Sequence, residues 1–92
     1  MEFTNNKKEY CFEAILEGGE KARLEYRWLK GKMVLMHTFV PPVLRGKGIA
    51  TALVEYVLEY VKANNLKIII YCPFVEMYVT EHPSYRELTP DA

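Results

Sequence analysis

The stretch Val40-Pro41-Pro42-Val43-Leu44-Arg45-Gly46-Lys47-Gly48-Ile49-Ala50-Thr51-Ala52 organises the chain. An apolar, strand-like run ends at Val40, and the two prolines forbid its continuation as a paired strand. Arg45 to Gly48 then leads into a long amphipathic segment. A strand, a glycine-bearing turn and a helix start, in that order, form an anion site. The first helical N–H groups have no internal partner, and the helix dipole places partial positive charge there. Glycine lets an anionic ligand approach the backbone closely, and Arg45 and Lys47 add formal charge. The same spacing also suits an ordinary strand–loop–helix connection with solvated basic residues. It is not the G-x-x-x-x-G-K-S/T phosphate loop. The dinucleotide fingerprint would need a glycine where Thr51 stands.

Working outward, Met33 to Val40 is apolar on both faces except for His37 and Thr38, which reads as a strand buried on both sides. Leu66 to Tyr71 is a second such run. Between them, Ile49, Ala50, Leu53, Val54, Val57, Leu58 and Val61 fall on one helical stripe, with Thr51, Glu55, Glu59 and Lys62 away from it. The spacing predicts a helix from about Lys47 to Asn64, stopped at Asn64-Asn65. Strand, helix, strand is a parallel crossover unit. Pro73 suits a first helical position, so a short helix is expected from Pro73 to Glu81, ended by His82-Pro83.

On the N-terminal side, Glu9 to Glu17 alternates, with Tyr10, Phe12, Ala14 and Leu16 on one face and Cys11, Glu13 and Ile15 on the other. Gly18-Gly19 reads as a two-residue hairpin turn. Lys21 to Leu29 alternates again, with Ala22, Leu24, Tyr26 and Trp28 inward. Lys30-Gly31-Lys32 makes the next turn. Residues 1–8 read as a loose arm and 88–92 as a loose tail. The expected fold is a single α/β (α+β) domain. It has a mixed sheet of about four strands, the last two parallel, covered by two helices.

Composition narrows the function classes. The chain has 92 residues, half of them hydrophobic, and 12 basic against 12 acidic side chains. Zero net charge disfavours general binding to nucleic acid or to anionic membranes. The N-terminal residues lack an apolar signal core, and no run approaches a membrane span. A cytoplasmic protein is expected, monomeric or homodimeric. Two cysteines, Cys11 and Cys72, read as free thiols, and no Cys/His spacing suggests a metal site.

Arg45-Gly46-Lys47-Gly48-Ile49-Ala50 matches the Q/R-x-x-G-x-G/A signature of the GNAT N-acetyltransferase superfamily. The wider run His37 to Val54 resembles that motif with its preceding strand. Tyr71-Cys72-Pro73-Phe74-Val75-Glu76-Met77-Tyr78, followed by His82-Pro83-Ser84-Tyr85, is similar to a subgroup of short single-domain GNAT-like proteins. The resemblance implies acetyl-coenzyme A as cosubstrate and an unidentified amine as acceptor, a small molecule or a protein. The cofactor's pyrophosphate would lie on Arg45, Gly46, Lys47, Gly48, Ile49, Ala50 and Thr51. Its pantetheine arm would lie between splayed parallel strands, near Thr38, Phe39, Val40, Cys72 and Phe74.

Three residues could carry chemistry. Cys72 ends a strand at a helix start, where thiolate is favoured, and could accept the acetyl group. It could equally be a buried core thiol. Tyr78 resembles the tyrosine that protonates the departing thiolate in many GNAT enzymes, although packing would also account for it. His37 could be a base or simply hydrogen-bonded. The chain lacks the segment that often shapes the acceptor site in longer members and their last strand pair. A coenzyme A-binding module without catalysis is therefore the alternative reading.

Overall fold

A computed structural model describes residues 1–90. Strands β1 (Glu2–Asn6), β2 (Cys11–Ile15), β3 (Lys21–Leu29), β4 (Lys32–Phe39) and β5 (Ile68–Ile70) hydrogen-bond in that order in one sheet. The first four are antiparallel, and β5 runs parallel to β4. Helix α1 (Ile49–Ala63) makes the crossover, and α2 (Pro73–Glu81) follows β5. The α1 stripe from Ile49 to Val61 packs on Phe12, Ala14, Leu24 and Leu35 of the sheet, and Val75 and Val79 of α2 join that core. Lys30 and Gly31 both take positive φ, +51° and +80°. That conformation makes the two-residue β3–β4 turn. Asn65, also left-handed at φ +55°, stops α1.

The structure departs from the sequence reading in five places. Gly18-Gly19 is not a two-residue hairpin turn: Leu16 N–H donates to the Glu20 carbonyl at 2.7 Å, and the loop they close is the three-residue 3₁₀ turn Glu17–Gly19, with both glycines at φ +85°. Residues 2–6 are not a loose arm. They form the edge strand β1, anchored by Phe3 stacking on Tyr56 of α1 at 4.7 Å and by Tyr26 donating its hydroxyl hydrogen to Asn5 Oδ1 at 2.8 Å. The sheet therefore has five strands. Polar Thr4, Asn5 and Asn6 hide the strand signal because an edge strand tolerates them. Leu88, assigned to a loose tail, is 6 % exposed and ends a 3₁₀ helix over Pro83–Leu88. Residues 91–92 of that tail lie outside the described residues. Trp28, read as inward, is 46 % exposed.

The fifth difference shapes the site. In the β3–β4 ladder Tyr26 faces Leu35, yet its neighbour Glu25 faces His37. Met36 has no partner and is a β-bulge. Strand side chains alternate, so one extra residue exchanges the faces of everything after it. Thr38, opposite Leu24, is thereby turned to the helix-covered face, and His37, opposite Glu25, to the other. Hence burial on both faces holds only for Met33 to Leu35, and Met36 and His37 are exposed.

Candidate active site

Strands β4 and β5 pair only from Met33↔Ile68 to Leu35↔Ile70. The Leu35 carbonyl then accepts from both Tyr71 N–H (2.9 Å) and Cys72 N–H (3.0 Å), and the chains part. Past this point β4 has no β5 partner, so the parallel pair opens at its C-terminal end, where open α/β sheets bind ligands. Thr38 Oγ1 and Cys72 Sγ meet across the opening at 3.3 Å. A cleft of about 300 Å³ starts at His37, Thr38, Phe39 and Val40. It shares Val40, Arg45, Ala50 and Phe74 with a second cleft of about 210 Å³ that reaches Gly46, Gly48 and Thr51. The two make one groove from the strand gap to the start of α1.

The loop between β4 and α1 follows from its prolines and glycines. Pro42–Leu44 form one 3₁₀ turn. Gly46 (φ +82°) and Gly48 (φ +78°) take left-handed conformations, and a Cβ at either would meet only open space. Gly48 is the N-cap of α1 and has no side chain with which to cap it. The first helical bond is Ala52 N–H to the Gly48 carbonyl at 3.0 Å. The N–H groups of Ile49, Ala50 and Thr51 thus end in the groove with no side-chain acceptor, next to a positive dipole end. Ile49 is buried and fixes this end of the helix to the core. Arg45 donates Nε–H to the Val40 carbonyl at 3.1 Å, which ties its guanidinium to the strand end and leaves other donors free. An uncapped helix start, two open glycines and a tethered guanidinium fit a pyrophosphate. Lys47 is exposed and lies outside both cleft walls.

Arg45→Ala should therefore weaken coenzyme A more than pantetheine, which lacks the pyrophosphate, by about tenfold for one lost charged hydrogen bond. Calorimetric titration of both ligands measures the difference. Equal losses would take Arg45 away from the phosphates.

The candidate catalytic residues are not all brought together. Cys72 meets Thr38 at the strand gap, but it is 3 % exposed and, against expectation, borders neither cleft. His37 lies on the cleft wall but on the opposite sheet face from Thr38. Tyr78 stands one turn after Phe74 on the same side of α2, yet it borders neither cleft and is 5 % exposed. Burial, and then the neighbouring Glu55 carboxylate, push its phenol above the ordinary range. His82 stacks on the Tyr78 ring at 4.1 Å. Its Nδ1 lies 2.9 Å from the Tyr78 carbonyl, which can only accept, so Nδ1 carries the hydrogen. His82 thus satisfies an orphan carbonyl at the helix end. Tyr85 donates to Glu59 Oε2 at 2.5 Å. The H-P-x-Y part of the motif thereby ties the chain after α2 onto α1.

That Tyr85–Glu59 bond has a pH signature. The carboxylate holds the Tyr85 phenol well above its ordinary value. A raised folded pKa gives stability that is present below the unfolded tyrosine value of about 10 and is lost as pH rises past it. Tyr85→Phe should cost about 1 kcal/mol at neutral pH and flatten the loss of stability above about pH 10. Urea unfolding at both pH values reads this. An unchanged alkaline slope would contradict it.

Two features of the groove were missed from sequence. Leu44 lines it at the loop, and only its place in the motif signals this. The Met36 bulge has no sequence signal. Among the described residues, no three or more His, Cys, Asp or Glu side chains are grouped to hold a metal ion. No helix there is long and apolar enough to cross a membrane.

A mixed sheet whose parallel strand pair opens onto an uncapped, glycine-bordered helix start is consistent with a GNAT fold. The chain belongs to the GCN5-related N-acetyltransferase family, whose model matches residues 11–88. It is similar to "Protein NATD1" of Homo sapiens, at 37 % identity over 86 % of this chain and 72 % of that protein. Against "Protein NATD1" of Danio rerio the figures are 36 %, 90 % and 79 %. Its structure is also similar to the solution structure of a GCN5-like protein of Staphylococcus aureus, proposed to be an N-acetyltransferase. That likeness has a TM-score of 0.70 at 29 % identity, over 96 % of this chain and 86 % of the other.

Proposed function

We propose that the chain binds acetyl-coenzyme A along the groove and transfers the acetyl group to an amine. The observation that carries this reading is the continuity of the groove from the β4–β5 gap to the uncapped start of α1. The bound cosubstrate would supply an activated acetyl thioester. The N–H groups of Ile49, Ala50 and Thr51, with Arg45, hold the pyrophosphate. Phe74, Val40 and Ala50 wall the pantetheine arm away from water. Backbone N–H groups of β4 past Leu35, where no β5 residue pairs, polarise the thioester carbonyl.

Two routes follow for the acetyl group. His37, exposed at the rim, removes a proton from an incoming amine in the direct route. In the covalent route the Cys72 thiol takes the acetyl group first. Tyr78 needs to turn its hydroxyl from Glu55 toward the cleft to serve as acid, so its packing role weighs more. Release of free coenzyme A thiol from acetyl-coenzyme A in the presence of a panel of amines tests the reading. Amine-dependent release supports transfer. A coenzyme A-induced rise in melting temperature without release would leave a binding module.

A further inference from the structure

The far end of α1 borders a cleft of about 320 Å³ that the proposed function leaves unused. Gly48 caps the helix at the groove and Asn64 caps it here, so about 24 Å of helix separates the two places. The volume is that of a site for a small molecule. Tyr26, Trp28, Tyr60 and Leu66 give the cleft its apolar wall. Trp28 meets Tyr26 edge to face at 5.9 Å, yet it stays 46 % exposed. Asn5, Lys7 and Asn64 give the cleft its polar atoms. No Asp or Glu borders it, and Lys7 has no ion-pair partner among the described residues.

The acceptors around this cleft are mostly taken, while donors are left over. Asn5 Oδ1 accepts from the Tyr26 hydroxyl at 2.8 Å, and the Tyr60 hydroxyl oxygen accepts from Asn5 Nδ2 at 3.2 Å. That leaves the Tyr60 hydroxyl hydrogen without a partner among the described residues. Turning the Asn5 amide over would exchange the two tyrosines and still leave one hydroxyl hydrogen unused. The Trp28 indole N–H and the Lys7 ammonium are also without acceptors there. The negative end of α1 offers a cation little, because the Tyr60 carbonyl accepts from Asn64 N–H and Nδ2, and the Lys62 carbonyl from Asn65 N–H. We infer that this cleft binds a small aromatic carboxylate. Its ring lies against Trp28, and its oxygens take the spare hydrogens of Lys7 and of the tyrosine hydroxyl. The single positive charge of Lys7 matches the single negative charge of a carboxylate.

The test titrates phenylacetate into the full chain and follows nitrogen–proton correlation spectra. Trp28 is the chain's single tryptophan, so one indole N–H signal reports on the cleft. That signal and the side-chain amides of Asn5 and Asn64 should move, while the amides of Gly46 to Thr51 stay still. Phenylacetamide has the ring without the charge, and phenethylamine has the opposite charge. Both should bind about fivefold more weakly than phenylacetate, and Lys7→Ala should erase that preference. Trp28→Ala, read from the Asn64 amide, should weaken phenylacetate about tenfold, and Trp28→Phe should return most of the loss. Lys7 and Trp28 are both exposed, so these variants keep the core intact. An unmoved Trp28 signal at millimolar phenylacetate would overturn the inference. So would equal binding of the three probes, a preference that survives Lys7→Ala, or movements confined to Gly46 to Thr51.

Discussion

Gly48→Glu is expected to abolish the rise in melting temperature that coenzyme A produces in the wild type. Gly48 is the N-cap of α1 at φ +78°, with open space where a side chain would go. That space is where the pyrophosphate would approach the N–H groups of Ile49, Ala50 and Thr51. A glutamate there fills the space and places like charge a few ångströms from the phosphates. It also becomes a competing acceptor for the helix N–H groups. Wild-type protein at a hundredfold excess over Kd should gain about 2.7 kcal/mol. The variant should gain none. The backbone strain of a non-glycine residue is separated by Gly48→Asn, because asparagine tolerates the left-handed region and carries no charge. The asparagine variant should keep part of the shift. Equal shifts in wild type and Gly48→Glu would place the ligand elsewhere.

The largest stability effect is expected for Leu53→Ala, a loss of about 3 kcal/mol. Leu53 is fully buried and sits one turn into α1, between the helix start and the sheet core. Removing its branched end leaves a cavity in a region where neighbours are already close-packed. For a chain this small that is a large share of a total stability of about 5–15 kcal/mol. Urea unfolding should show a lower midpoint with an unchanged slope. Lys62→Ala, on the exposed side of the same helix, should stay within about 0.5 kcal/mol. A loss below about 1 kcal/mol for Leu53→Ala would contradict the packing of α1 described here. The same packing positions the proposed pyrophosphate site, because Leu53 and Ile49 anchor the helix whose N-terminus borders the groove.

What could be read from sequence was what repeats with a period or depends on a backbone-restricted residue. The α1 stripe, the Pro73 start of α2 and the glycine-bearing turn before α1 all reappear in the structure. The parallel pair followed from two apolar runs joined by a helix. Strand β1 escaped because its anchors, Phe3 on Tyr56 and Asn5 on Tyr26, are contacts with distant parts of the chain. The exposure of Trp28 escaped because alternation gives the face of a strand but not where the covering helices end. The bulge escaped for a deeper reason. Met36, His37 and Thr38 are compatible with a regular strand, and only the register with β3 shows that one of them is extra. As a result the division of His37 and Thr38 between two sheet faces was not foreseen.

Coenzyme A is proposed to lie along the groove from the β4–β5 gap to the start of α1. Nitrogen–proton correlation spectra recorded during a coenzyme A titration test it most directly. The amides of Gly46 to Thr51 should move most, with smaller movements at Thr38 to Val40 and at Cys72 and Phe74. Movements gathered instead at the cleft of Ile68, Ile70 and Arg86 or at that of Trp28 and Asn64, or none at millimolar ligand, would contradict it.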